Sequence, residues 1–167
     1  SRLLSEFAEQ GVLCRLAKGV YYKPVMTKFG VLMPDVQEIV KAIARRDNAQ
    51  VLPTGETAAN LLGLSTQVPM NYVYLTSGSA RKIMVGKKIV TFKRCVHKNF
   101  ACQNEFLAVL IQAMKAIGQE RLTDGHCVVI KGLLMKHLPI ESLDADMKNA
   151  PLWVRRMVYN IIKEIGV

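Results

Sequence analysis

The sequence predicts an α+β fold, on three observations. Through the last third, Phe106, Leu107, Leu110, Ile111, Met114 and Ile117 recur at helical spacing up to Gly118. In the middle, the strand-like runs Tyr72–Thr76, Lys82–Val85 and Lys88–Lys93 are divided by Ser77-Gly78-Ser79 and Gly86-Lys87. Near the start, a strand–turn–strand stretch follows a short amphipathic helix. With 167 residues, 50% of them hydrophobic, the chain can bury one core with a small appendage, or two small cores.

Taken in order, Leu3, Leu4, Phe7 and Ala8 share one helical face, and Gly11 is placed as a C-cap. Val12, Cys14 and Leu16 then alternate with Leu13 and Arg15, which is strand periodicity. Ala17-Lys18-Gly19 supplies a turn, Val20, Tyr21 and Tyr22 a second strand, and Pro24 a stop, because proline cannot donate to a ladder. Helix, strand, basic-tipped turn, strand is the order found in the back half of a winged helix-turn-helix. There the helix enters the major groove and the hairpin lies along the phosphates. The plainer reading is a hairpin after a helix in any small protein of mixed class. In the winged reading Lys18 forms the tip, with Arg15 and Lys23 on its flanks. Tyr21 and Tyr22 point to opposite faces, one packing on the helix and the other, taken as Tyr22, reaching a sugar-phosphate. Ser1, Arg2 and Ser5 lie near the helix start, where Arg2 either forks onto a guanine or sits in solvent.

Val25–Met33 has no clear period and reads as an extended linker, so a boundary is expected between units 1–33 and 34–167. Pro34 and Asp35 suit a helix start, and Val36, Ile39, Val40 and Ile43 form its stripe, ending in Arg45-Arg46. Val51-Leu52-Pro53 is a short strand. Thr54 is the expected N-cap of a helix carrying Ala58, Leu61 and Leu62, which Gly63 ends. The three runs between Tyr72 and Lys93 then predict a three-stranded antiparallel meander with one covered face and one basic, wet face. Further helices are expected through Cys127–Leu138 and from Pro151 through Ile165, with a short helix or turn at Ile140–Lys148 between them.

The formal charge is +10, with a pI near 9.6, so an acidic partner is the first expectation. Much of the excess is local. Arg81, Lys82, Lys87, Lys88, Lys93, Arg94 and Lys98 fall within 18 residues that contain no acid, whereas from Asn99 onward bases and acids nearly balance. Such lysines either neutralise successive phosphates or simply protect a solvated sheet edge.

No run of about 18 apolar residues indicates a membrane span. The cysteines, Cys14, Cys95, Cys102 and Cys127, are scattered without a CxxC and read as free thiols of a reducing cytoplasm. Cys95, His97 and Cys102 make one loose cluster without the paired ligands of a structural zinc site, and no metal is expected. The glycines form neither a phosphate loop nor a dinucleotide fingerprint. Asp144 and Asp146 have a D-x-D spacing that suits a divalent ion, but no glycine-serine motif precedes them; helix-start electrostatics account for them more simply. Neither a cofactor nor catalysis is expected.

Three phrases, RLAKGVYYKP at 15–24, TGETAANLLGLSTQVP at 54–69 and NAPLWVRRMVYNIIKEI at 149–165, occur in an order that resembles the AbiEi family of bacterial antitoxins, in particular its branch of AbiEi-like transcriptional regulators. The first two helices of that family's winged motif have no counterpart here, and Ser1 falls inside the recognition helix. The resemblance implies a winged helix that represses its own operon and an antitoxin domain that counters a nucleotidyltransferase-type toxin. Operator DNA is the implied partner, with the toxin or its RNA substrate as a further one, in a bacterial cytoplasm. A different class of function remains open: an RNA- or protein-binding module that uses the basic residues of 81–98.

Overall fold

Helix α2 (Val36–Asp47) shows why the first core forms where it does. Val36, Ile39, Val40 and Ile43 return every three or four residues, so all four fall on one stripe, and all four are buried. The computed structural model, which describes residues 2–166, lays that stripe on one face of a four-stranded sheet. The sheet order is β5 (Val51–Pro53), β6 (Asn71–Thr76), β8 (Lys88–Arg94), β7 (Arg81–Val85). Tyr72, Tyr74, Ile83, Val85, Val90 and Phe92 meet α2 from the covered face. A small hairpin of β1 (Cys14–Ala17) and β2 (Val20–Tyr22) closes the side of this core with Val20, Leu16 and Ala17. The hairpin therefore shares a core with α2 and the sheet, although the sequence places a boundary after residue 33.

The second core is helical. It joins α3 (Glu56–Leu61), α4 (Glu105–Ile117), α5 (Asp124–His137), α6 (Leu143–Met147) and α7 (Leu152–Ile165). Leu107, Leu110 and Met114 of α4 are fully enclosed there with Ile130, Leu134, Val154 and Val158. Each such side chain contributes about 1.5–3 kcal/mol of burial free energy, which makes α4 the pillar of this half. The two halves are stitched at α3, where Thr57 accepts a hydrogen bond from the Val73 amide of β6 at 2.8 Å. The α+β class, the helices of the last third and the short helix near 140–148 are as expected.

Four expectations require correction. The three central strands do not form a meander: β6 runs parallel to β8, and β7 lies beyond β8, antiparallel to it. Skipping one strand requires a crossing of roughly 10 Å, which four residues at about 3.3 Å each can span. Ser77–Ala80 is diverted from a tight reversal by its anchors. Ser77 N donates to Gln50 O at 3.0 Å, Gln50 N donates to Ser77 Oγ at 2.8 Å, and a Cβ on Gly78 would lie 3.0 Å from that of Ala49. β8, which buries Val90 and Phe92, thus takes an interior place beside β6.

Secondly, the expected linker is a second hairpin, β3 (Val25–Thr27) and β4 (Gly30–Leu32), whose turn is tied by Thr27 Oγ1 donating to Gly30 O at 2.9 Å. Apolar residues on both faces of these short strands erased the alternation that would have revealed them. Thirdly, Gly55, at φ 61°, occupies the N-cap of α3, and the Thr54 hydroxyl donates instead to Gln112 of α4 at 3.2 Å. Fourthly, the basic run is not one wet face. Lys82 and Lys93 lie on the face away from α2, whereas Arg81, Lys88 and Arg94 alternate onto the α2 side.

Candidate nucleic-acid interface

The β1–β2 hairpin pairs Cys14 with Tyr22, Arg15 with Tyr21 and Ala17 with Val20, and a bulge at Leu16 bends the ribbon. Its tip, Lys18-Gly19, reaches the C-terminal end of α2. There Arg46 Nη1 donates to the Lys18 carbonyl at 2.8 Å. Gly19 is required twice over: its φ is 72°, and a Cβ at that position would stand 3.0 Å from Arg46 Nη1. Arg46 is well placed as a cation in the last turn of α2, where the helix carbonyls are unpaired.

Arg46 is itself held. Its Nε donates to Asp47 Oδ1 at 2.8 Å, and the other carboxylate oxygen of Asp47 is engaged by Arg81 at the start of β7. The hydrogen bond from Arg46 is the largest influence on the Asp47 carboxyl; burial opposes it, and the nearby charges of Arg81 and Arg46 add to it, so the carboxyl is held below its usual range. One carboxylate thus fixes two guanidinium groups beside the hairpin tip. Lys18, Arg46, Ser79, Ala80, Arg81 and Lys82 line the resulting open groove, with a volume of about 560 Å³. Four cations meet one acid at this seam, which leaves a strong local surplus for a polyanion.

The other expected contacts are distributed as follows. Arg15 is exposed, with Nε 3.4 Å from the Ala17 carbonyl, and Lys23 is exposed beyond β2. The hydroxyls of Ser5 and Tyr21 share a hydrogen bond of 3.1 Å that ties α1 (Arg2–Glu9) to the hairpin. Tyr21 is therefore the tyrosine that faces the helix. Tyr22 donates to Met33 Sδ at 3.4 Å, so its hydroxyl turns to the second hairpin rather than standing free for a phosphate. Arg2 projects into solvent and makes a 3.2 Å pair with Glu6 one turn on. Ser1 lies outside the described residues. Of the basic run, only Arg81 and Lys82 enter the groove. Lys87 and Lys88 sit at the other end of β7, roughly 13 Å away at strand rise, with Lys88 Nζ over the Tyr72 ring. Lys93 and Arg94 end β8, and Lys98 belongs to the 3-10 turn His97–Phe100. Arg46 is the residue that sequence reasoning missed. Its signal, a basic pair closing α2, is equally that of any helix end.

The remaining chemical candidates have structural partners. Asp146 is 1% exposed and accepts from Gln103 N at 2.7 Å, Asn104 N at 2.9 Å and Ser142 Oγ at 2.8 Å. Asp144 points the other way and takes a hydrogen bond from Tyr159, which raises the pKa of that phenol. The D-x-D pair is thus divided within α6. All four cysteines are free, and burial first, then Asp146, pushes the Cys102 thiol up. Among the described residues no three His, Cys, Asp or Glu side chains gather where an ion would be held. Nor, among those residues, is any helix long and apolar enough to cross a membrane.

Fold and groove together define an α+β protein with a cationic seam where a hairpin tip meets a sheet edge. Over residues 1–142 the chain matches the family described as "Family of unknown function (DUF6088)", and it belongs to that family. No curated protein and no solved structure matches it.

Proposed function

We propose that this chain is a DNA-binding transcriptional autorepressor and antitoxin of a bacterial cytoplasm, non-enzymatic, that counters a nucleotidyltransferase-type toxin. The observation that carries the DNA-binding half is the seam itself: Lys18, the exposed tip of the hairpin, is locked beside Arg46, Arg81 and Lys82. In this reading α1 and the hairpin act as the recognition helix and wing of a winged helix. The wing places Lys18, Arg15 and Lys23 along one strand of phosphates, and the groove extends that track onto β7. Pre-ordering by Asp47 lowers the entropy lost when the guanidinium groups meet phosphate oxygens. Arg2, tied only by a solvent-exposed pair, is free to exchange Glu6 for a base edge. The antitoxin half rests on the resemblance of the 54–69 and 149–165 phrases, and it is tested by growth rescue when the chain is co-expressed with a nucleotidyltransferase from the adjacent reading frame.

The DNA-binding half is tested by the salt dependence of binding to duplex from the chain's own promoter region. Lys18→Ala with Lys82→Ala should lower the slope of log K against log salt by about 2, near 0.9 per lost phosphate contact. Lys87→Ala with Lys88→Ala should leave the slope within about 0.5 of the parent. The reverse pattern would move the interface to the far end of β7 and favour the RNA- or protein-binding reading.

A further inference from the structure

The β3–β4 hairpin is the most exposed apolar feature of the described chain. Phe29 is 89% exposed and Met26 73%, followed by Leu32, Val25 and Val31, and no residue of either strand is buried. Register places Met26 opposite Val31 on one face and Val25 opposite Leu32 on the other, so both faces are apolar. Both outer edges of this two-stranded sheet are unpaired. A hairpin of this size is marginal by itself in water, and bare edges invite another strand. With ordinary side-chain areas its apolar exposure comes to roughly 600 Å² per chain, at the upper limit of the largest patch on a typical monomer.

We propose that this hairpin is a dimerisation arm, through which two copies of the chain associate about a two-fold axis. Area allows a second copy when the two arms clasp so that both faces and the tip are covered: about 600 Å² from each chain then gives a total near 1,200 Å², the lower bound of a stable interface. Charge favours it too. Residues 25–33 hold one charge, Lys28, whose Nζ lies 5.1 Å from the Phe29 ring centre. One cation in nine residues is poor equipment for a phosphate backbone or an anionic lipid surface, and it offers little repulsion to an identical ribbon. Location completes the argument. Met33, at the base of the arm, packs beside Gly86, where an added Cβ would be 3.7 Å from Met33 Cγ. Gly86 lies in the β7–β8 turn, at the end of β7 opposite the cationic groove. Pairing through the arm therefore leaves both grooves open, and it stands independently of what they bind.

Sedimentation equilibrium of the full chain tests this, with Met26→Glu and Leu32→Glu introduced together so that each face of the arm carries a charge. Both side chains are exposed, so the fold is kept, and an unchanged far-ultraviolet spectrum verifies it. The parent should be dimeric at tens of micromolar, and the doubly substituted chain monomeric, with dimerisation weakened at least about a hundred-fold. Hydrogen exchange at the Met26 and Val31 amides should slow as the parent is concentrated. A parent that is monomeric at about 100 μM, whatever else the arm then binds, overturns the proposal. So does a substituted chain that still dimerises, because that places the contact elsewhere.

Discussion

Replacing Arg46 with alanine separates what holds the seam from what the seam attracts. Alanine is at least as good a helix former as arginine, so α2 itself loses nothing. What is lost is the 2.8 Å hydrogen bond to the Lys18 carbonyl and the 2.8 Å pair with Asp47, whose side chains are 33% and 21% exposed. A charge-assisted hydrogen bond contributes up to about 3 kcal/mol, but here the freed carbonyl faces water and regains a partner. A partly exposed ion pair adds at most about 1 kcal/mol. The expected destabilisation is therefore about 1 kcal/mol, or a fall of about 0.5 M in the urea midpoint at an m-value near 2 kcal/mol/M. Arg46→Lys keeps the charge without the fork, so it should recover the salt slope of DNA binding but not the stability. Unchanged urea midpoints for both variants, together with unaltered hydrogen exchange at Gly19, would refute the claim that Arg46 fixes the tip.

Three further outcomes rest on the Asp146 clamp of α6 and on the seam. Asp146→Ala removes the acceptor of two backbone amides and a hydroxyl in a site 1% exposed, and should cost about 3–5 kcal/mol in urea unfolding, whereas Asp144→Asn should cost less than about 1. Equal, small effects would show that Asp146 is not a structural clamp. Gly19→Ala should cost about 1–2 kcal/mol, because φ is 72° there and the methyl group displaces Arg46; a neutral result would mean the tip is not held as described. Because the folded pKa of Asp47 lies below its ordinary 3.8, its contribution is fully present above about pH 4 and is lost as pH falls through the folded value. Asp47→Asn should therefore be less stable than the parent from pH 7 to 5, and the gap should close on acidification; a gap that widens in acid would contradict the assignment.

Much of this architecture was legible because burial in it is one-sided. The α2 stripe and the apolar rows of α4 and α7 each face a single core, so their periods survive in the sequence. The phrase TGETAANLLGLSTQVP turns out to be a joint. Gly55 supplies a positive φ, Thr57 binds β6, and Asn60 Nδ2 donates to the Gln67 carbonyl at 2.9 Å. Sheet order was not legible, since alternation marks the face of a strand and says nothing of its neighbour; β8 inserts between β6 and β7 because of anchors around Gln50 and Gly78. The second hairpin was hidden for the opposite reason, having two apolar faces and no core. At the candidate interface Lys18 was readable from its turn, but Arg46 was brought to it by tertiary packing across 28 residues.

The most direct trial of the seam is amide hydrogen exchange of the chain with and without promoter duplex at low salt. Protection concentrated at Lys18, Gly19 and Ser79–Lys82 and relieved by added salt is the predicted result. Protection confined to Lys87–Lys98, with the hairpin tip exchanging as in the free protein, would contradict it.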